Sequence, residues 1–511
     1  MSSNKINKRQ ARGIPLFLFL AVVSIVGSGK VWADAAATPA PTAAVTPAAD
    51  ATSLKGFMNY ADFTWVNGNT HETDFPMAGK VFSPELLLDT NYAYQFTRPN
   101  DHMINGSTAM AMDNEVEVEH VGFGGDFNVD NVHARLMTEY GMYANQVPRN
   151  DQTPARGTWN IMEGTMYLTE AYGGVHIDIP GTNGMNIEMG QFPSYVGLFS
   201  FYNSENWCYQ ASYVSSNTPW FFTGMRIQFF PSDALKIEPW IINGWQTYGA
   251  FDEGLGGTGM NYGAEIRWAP NPALVVISNN YVGPDTADSP NCIRYHTDDS
   301  VVVKYLENPK SSGISKMAFS ITADGGFQQG PMFMGAGTAG TTAADGQVIG
   351  PGGFLNVGPT GPNEESFLGA MAYDRTWFDN DHWAFTFGGG AMENTGRYLA
   401  LLPSINGDSA QNYTADSNAN AAFTTGPGLP WVAWDYDFGF QYMPNQYLTF
   451  DLEYTHRWSS ENYFNGPGGE TSSDGWTAGA GTGSAQVSTG AYKPNLVQFE
   501  DIIVGSIMVH I

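Results

Sequence analysis

The chain has 511 residues, 59 of them glycine, with 14% aromatic and 14% charged side chains and a formal charge of -28. Such a length allows two or three ordinary domains or one large all-β barrel. The acidity excludes a phosphate-binding face, and with it nucleic acid as a partner.

In chain order the first element is an export leader. Lys5, Lys8, Arg9 and Arg12 precede an apolar run from Ile14 to Val26, and Val31, Trp32 and Ala33 place small residues where a signal peptidase reads. The apolar run is shorter than the roughly 20 residues a spanning helix needs, so a cleaved signal peptide over residues 1–33 is expected. Residues 34–53, rich in Ala, Pro and Thr, cannot bury enough apolar surface to offset chain entropy and read as a disordered lead-in. The remainder, 54–511, is expected to be one barrel.

That expectation rests on alternation. In "LLLDTNYAYQF" Leu86, Leu88, Tyr92, Tyr94 and Phe96 share a face; Tyr262, Ala264, Ile266 and Trp268 do so in "NYGAEIRW", and Trp383, Phe385 and Phe387 in "HWAFTFGG". Short turns near 231–234, 270–272, 308–315, 379–381 and 444–446 alternate with longer links near 246–260, 284–299, 328–366, 395–430 and 459–495. A transmembrane antiparallel up-and-down β-barrel predicts this asymmetry, with short periplasmic turns, long extracellular loops and no open edge. The segments number about 16, within 14–18, and a barrel of that size encloses an aqueous channel. The parity also puts the C-terminus at the short-turn end.

The hairpin "WVAWDYDFGFQYMPNQYLTFDLEYTHRW", residues 431–458, shows the pattern most clearly. A three-residue turn would pair Tyr442 with Leu448, Phe440 with Phe450 and Asp437 with Glu453, with every large apolar side chain on one face. Trp434, Tyr442 and Trp458 then fit two aromatic girdles, and Trp434 to Tyr442 spans about 20 Å of membrane normal at roughly 3.3 Å per residue and 40° tilt. The other face predicts a channel-lining acidic patch of Asp435, Asp437, Asp451 and Glu453 that biases the pore toward cations. Arg457, with Arg226 and Arg267 across the lumen, supplies a basic counterpart.

"GQFPSYVG" (190–197), "NWCYQASYV" (206–214), "FTGMRIQF" (222–229), "IINGW" (241–245) and "NYGAEIRWAPN" (261–271) occur in that order. Together they resemble the OmpL-like outer-membrane β-barrel porins over about a sixth of the chain. The resemblance implies a barrel and a channel role and brings no catalytic residues. Two features depart from the common barrel pattern: the chain ends at Ile511 rather than an aromatic residue, and the long loops leave room for a plug or a partner. Gly190, Gly224 and Gly244 suit positions where a tilted strand bends or a neighbouring side chain crosses it.

A search for other chemistry finds little. Nine histidines are scattered without H-E-x-x-H or i, i+4 spacing, there is no C-x-x-C-H haem site, and neither metal nor cofactor is expected. His176 and Asp178 share a strand face without a nucleophile motif, so an enzyme is not expected. Cys208 and Cys292 are candidates for a single disulfide in an oxidising compartment. The expected function is passive diffusion of ions and small hydrophilic solutes across the outer membrane, with lipid around the barrel and a homo-oligomer, trimeric by analogy only. A barrel sheathing a multihaem cytochrome, a structural or adhesive surface protein, and an outer-membrane hydrolase remain as alternatives.

Overall fold

A computed structural model describes residues 57–148, 159–250, 260–284, 292–309, 311–336, 354–360, 365–395, 398, 430–469 and 495–511. The leader, the 34–53 segment and most of the longest links lie outside the described residues.

The strands in chain order are β1 (Phe82–Gln95), β2 (Val116–Val129), β3 (Val132–Thr138), β4 (Leu168–Ile177), β5 (Met185–Pro193), β6 (Phe221–Ser232), β7 (Leu235–Ile242), β8 (Asn261–Asn271), β9 (Leu274–Pro284) and β10 (Ile293–Glu307). They continue with β11 (Ile314–Ala336), β12 (Phe354–Thr360), β13 (Ser366–Phe378), β14 (Trp383–Thr395), β15 (Pro430–Asn445), β16 (Leu448–Ser459), the short pair β17 (Phe464–Asn465) and β18 (Leu496–Val497), and β19 (Phe499–His510). Of the 17 strands in the main sheet, β12 pairs only along the tail of β11; the rest pair antiparallel with their neighbours, and β1 joins both β2 and β19. The result is a closed ring of sixteen strands with no free edge.

Alternation decides which side each residue takes. Along β16 the inward Asp451, Glu453, Thr455 and Arg457 are buried, while outward Phe450 and Leu452 are exposed. Exposed outward Phe385, Phe387, Phe438, Phe440, Ile503 and Ile507 continue that apolar surface, which in water would be an aggregation hazard and in lipid is solvated. Turns such as Asp130 with Asn131 and the one near Asp379 to Asp381 fall at one end, where positive φ at Asp130 (54°) and Asp379 (50°) tightens the chain. The final Ile511 lies at this same end, exchanging two backbone hydrogen bonds with Leu86.

The opening hairpin keeps its predicted faces but not its register. Tyr442 pairs with Phe450, Phe440 with Leu452, Asp437 with Thr455 and Glu453 with Gly439, so the sequence-based pairing is displaced by two residues. The cause is a bulge between Tyr442 and Asn445: Pro444 has no N–H for the ladder, and Asn445 instead pairs with Leu448 across a two-residue turn. A displacement of two preserves inside and outside, but it removes the expected Asp437–Glu453 opposition. Trp434 does face Trp458, their rings 6.1 Å apart, and Tyr442 stacks on Trp383 at 4.2 Å near the short turns.

Candidate functional site

The interior is occupied by the chain itself. Between β5 and β6, residues 194–220 turn into the lumen, where Phe199, Phe201, Tyr202, Trp207, Tyr209 and Tyr213 are buried. The segment braces its own bends with short polar side chains: Asn206 accepts from the Ser200 N–H at 2.8 Å and donates to the Ser200 carbonyl at 3.0 Å. "NWCYQASYV" alternates like a strand, yet it is plug, because Cys208, Gln210 and Ser212 are as deeply buried as the aromatics between them.

The inner wall grips this plug by its main chain. Glu453 accepts from the N–H groups of Tyr209 (2.8 Å) and Gln210 (3.0 Å), and Asp435 accepts from the Tyr213 N–H (2.6 Å) and the Gly390 N–H (2.7 Å). The Trp207 carbonyl accepts from Arg375 at 2.7 Å and Thr386 at 2.8 Å. Arg457 holds a different segment, donating to the Gly106 carbonyl in the β1–β2 connection at 2.7 Å. A trough of inward glycines receives it. A Cβ at Gly390 would stand 2.7 Å from Ser212 Oγ and 2.8 Å from Val214, and one at Gly369 2.9 Å from Val214.

The expected open acidic lining is therefore corrected. Asp435, Asp437, Asp451 and Glu453 all point inward, but each is buried beneath the plug. Asp435 and Glu453 serve as acceptors for plug N–H groups, and Asp437 accepts from Tyr373 Oη at 2.7 Å. Arg457 is likewise buried, 3.8 Å from Glu500. Arg226 ion-pairs with Glu188 and lies over the Phe192 ring at 4.4 Å. Arg267 pairs with Glu265 at 3.1 Å and borders open space. The predicted disulfide is also corrected: Cys208 lies in the plug, and Cys292 accepts from Gln328 Nε2 at 3.0 Å, neither bonded to the other. Gly190 and Gly224 pair across β5 and β6, and a Cβ at Gly190 would stand 2.7 Å from Tyr172 Cβ.

A second inward segment, residues 57–78, closes the short-turn end. Trp65 donates to the Pro272 carbonyl at 3.0 Å, Asn67 accepts the Trp207 N–H at 2.6 Å, and the Gly68 N–H donates to the Glu205 carbonyl at 3.0 Å. Glu72 lies 3.1 Å from His510. Burial pushes the Glu72 carboxyl up, and the His510 charge outweighs it, holding the group below its ordinary value. For Glu205 burial wins instead, pushing its carboxyl up to about 8 despite its bond from Ser200 and the more distant His510 charge. Sequence reasoning missed this segment because it lacks alternation and precedes the first strand.

Between these two segments and the wall of β1–β5, β8 and β9 lies a cavity of about 290 Å³. Its lining carries Glu72, Asp74, Glu85, Asp126, Glu170 and Glu265, with Arg135, Arg267 and His510. Arg135 is held between Glu85 (2.8 Å), Asp126 (3.1 Å) and Glu170 (2.9 Å), so the charged wall is fixed before anything enters. His176 lies 3.5 Å from Asp178 and donates from Nδ1 to the Asn186 Oδ1 at 2.8 Å.

A closed sixteen-stranded barrel with an apolar outer belt and a charged interior is the architecture of an outer-membrane porin. The family model described as "Putative beta-barrel porin-2, OmpL-like" matches residues 84–486, and the chain belongs to that family. Comparison with curated proteins finds no match. Among solved structures the chain is similar to Pseudomonas putida OprB at 9% identity and a TM-score of 0.45, covering 84% of this chain and 94% of that one. It is similar also to the outer membrane channel DcaP of Acinetobacter baumannii (10%, TM-score 0.42, 87% and 100%) and to an anion-selective porin from Comamonas acidovorans (8%, TM-score 0.42, 84% and 99%).

Proposed function

We propose that this protein passes ions and small hydrophilic solutes passively across the outer membrane, with a preference for cations, along a narrow route beside its plug. The observation that carries the reading is asymmetric filling. The plug's main chain is fastened to β13–β16, and its side chains Asn203 and Tyr209 donate to Asp89 on β1 and Tyr202 to Glu170 on β4. The charged cavity lies beside it against β1–β5, β8 and β9. Carboxylates outnumber cationic side chains in that cavity lining, and a low-dielectric wall focuses their field on an entering ion.

A lumen taken up by its own residues leaves little room for a partner of cytochrome size, which counts against the sheath reading. We assign the protein no catalytic role. Recording in a planar bilayer under a salt gradient tests the proposal. Small steps with a reversal potential favouring cations are expected, and Glu85→Gln with Glu265→Gln should move that potential toward zero. Silence from a folded barrel, or anion preference, would overturn it.

A further inference from the structure

The inner segment 57–78 divides the short-turn end into two spaces. Glu72, Tyr447 and His510 border the cavity already described and also a second one, of about 360 Å³. The second is walled by Lys316 on β11, Trp377 on β13, Thr449 on β16 and Met508 on β19, with His382 from the β13–β14 turn and Ser204 from the plug.

The two spaces differ in charge. Acids outnumber bases in the first, whereas the second sets Glu72 against His510 at 3.1 Å and Asp381 against Lys316 at 2.7 Å. His71 and His382 also border it, and their Nδ1 atoms lie 2.8 Å and 2.7 Å from the Thr64 and Asp379 carbonyls. A carbonyl only accepts, so each ring commits an N–H there and, when neutral, keeps Nε2 as an acceptor. An ion entering this space finds both pairs closed, and breaking the buried Glu72–His510 pair to supply a countercharge is costly.

Neutral hydrogen-bonding groups are left unused instead. The side chains of Ser204, Asn380 and Thr449 border the space and make no hydrogen bond among the described residues. A hydroxyl can donate once and accept twice, and a carboxamide can do two of each. Met443 and Met508 supply apolar surface in the same lining.

We infer that this second cavity binds a neutral polyhydroxylated solute the size of one sugar ring. Every hydroxyl of such a solute both donates and accepts, so it can give to the Thr449 oxygen or His382 Nε2 and take from the Asn380 amide without disturbing either ion pair. Its carbon-bound hydrogens lie against the two methionines. The volume stands at the low end of the roughly 300–1,000 Å³ usual for small-molecule sites, which suits one ring rather than a chain. The inference goes beyond the cation route, because the two cavities share a partition and not a charge, and failure of either leaves the other intact.

The test is saturation-transfer NMR on the full-length protein in detergent, with D-glucose as the probe and D-glucosamine, D-gluconate and glycine as competitors. Glucose should receive saturation, and none of the three charged competitors, added in excess, should displace it. Thr449→Trp fills the space and should abolish the transfer, while the cation reversal potential in a planar bilayer stays as in the wild type. His382→Ala changes a partly exposed turn side chain, so the barrel should fold, and it should weaken glucose binding about tenfold, the worth of one hydrogen bond. If Thr449→Trp gives no heat-modifiable barrel, His382→Ala alone decides. Absence of transfer to glucose in the wild type overturns the inference, as does unchanged glucose binding in His382→Ala or in a folded Thr449→Trp. Displacement of glucose by glucosamine, gluconate or glycine overturns it too.

Discussion

Glu453→Ala isolates the grip on the plug. The carboxylate takes two backbone N–H groups, from Tyr209 at 2.8 Å and Gln210 at 3.0 Å, and both donors are buried. Leaving a buried N–H donor without its partner costs about 1–3 kcal/mol, so losing both bonds is worth roughly 3 kcal/mol. At about 1.4 kcal/mol per decade, the unseated plug should become roughly 100-fold more populated. Amide exchange at Tyr209 and Gln210 should speed up by a similar factor, and single-channel traces should show larger or longer openings. Glu453→Gln keeps the shape but turns an amide donor toward one N–H, so it should fall between wild type and alanine. Unchanged exchange at both amides in a folded Glu453→Ala barrel would refute the view that this carboxylate seats the plug.

Glu205 makes seating depend on pH. Because burial pushes its carboxyl from 4.5 to about 8, the neutral form is the seated one; its contribution is whole below pH 4.5 and is lost as pH rises through about 8. Current should therefore increase between pH 5 and 9, and Glu205→Gln should remove part of that slope; an identical slope would exclude Glu205. Gly390→Leu places a side chain where Ser212 and Val214 now lie, so it should open the channel without unfolding the barrel, and protease access to the plug would report it. Leu452→Arg puts a charge on the outer face, in the middle part of β16, and should cost about 2–4 kcal/mol in refolding from urea into vesicles. Cys208 and Cys292 should both resist maleimide in the native protein and both label after denaturation, with no mobility change on reduction.

The barrel was legible because lipid imposes one rule on every strand. Outward Phe438, Phe440 and Leu452 must be apolar, and a closed ring must alternate, so period and turn parity disclose the architecture from sequence. Register was less legible: Pro444 looked like part of a three-residue turn, and only the ladder shows it expelled into a bulge. The interior obeys no period. Trp207, Tyr209, Ala211 and Tyr213 alternate as a strand would, but a plug is enclosed on all sides and buries both parities. Asp435 and Glu453 were found as inward acids, whereas their partners, backbone N–H groups carried by every non-proline residue, leave no signature in a sequence. The start of β10 was not legible: residues 293–299 read as part of the 284–299 link, yet they pair with β9.

The way the plug is held bears on how this chain can change over time. A socket that closes on amide hydrogens and carbonyl oxygens is blind to the identity of the residues it holds, so positions such as Gln210 contribute to anchoring through atoms that almost any substitution preserves. The wall has no such latitude, since one carboxylate at 453 or one guanidinium at 375 does work that its neighbours cannot take over. Drift should therefore accumulate in the occluding segment faster than in the surface that fastens it, and relatives could differ in what they admit while keeping the same fastening.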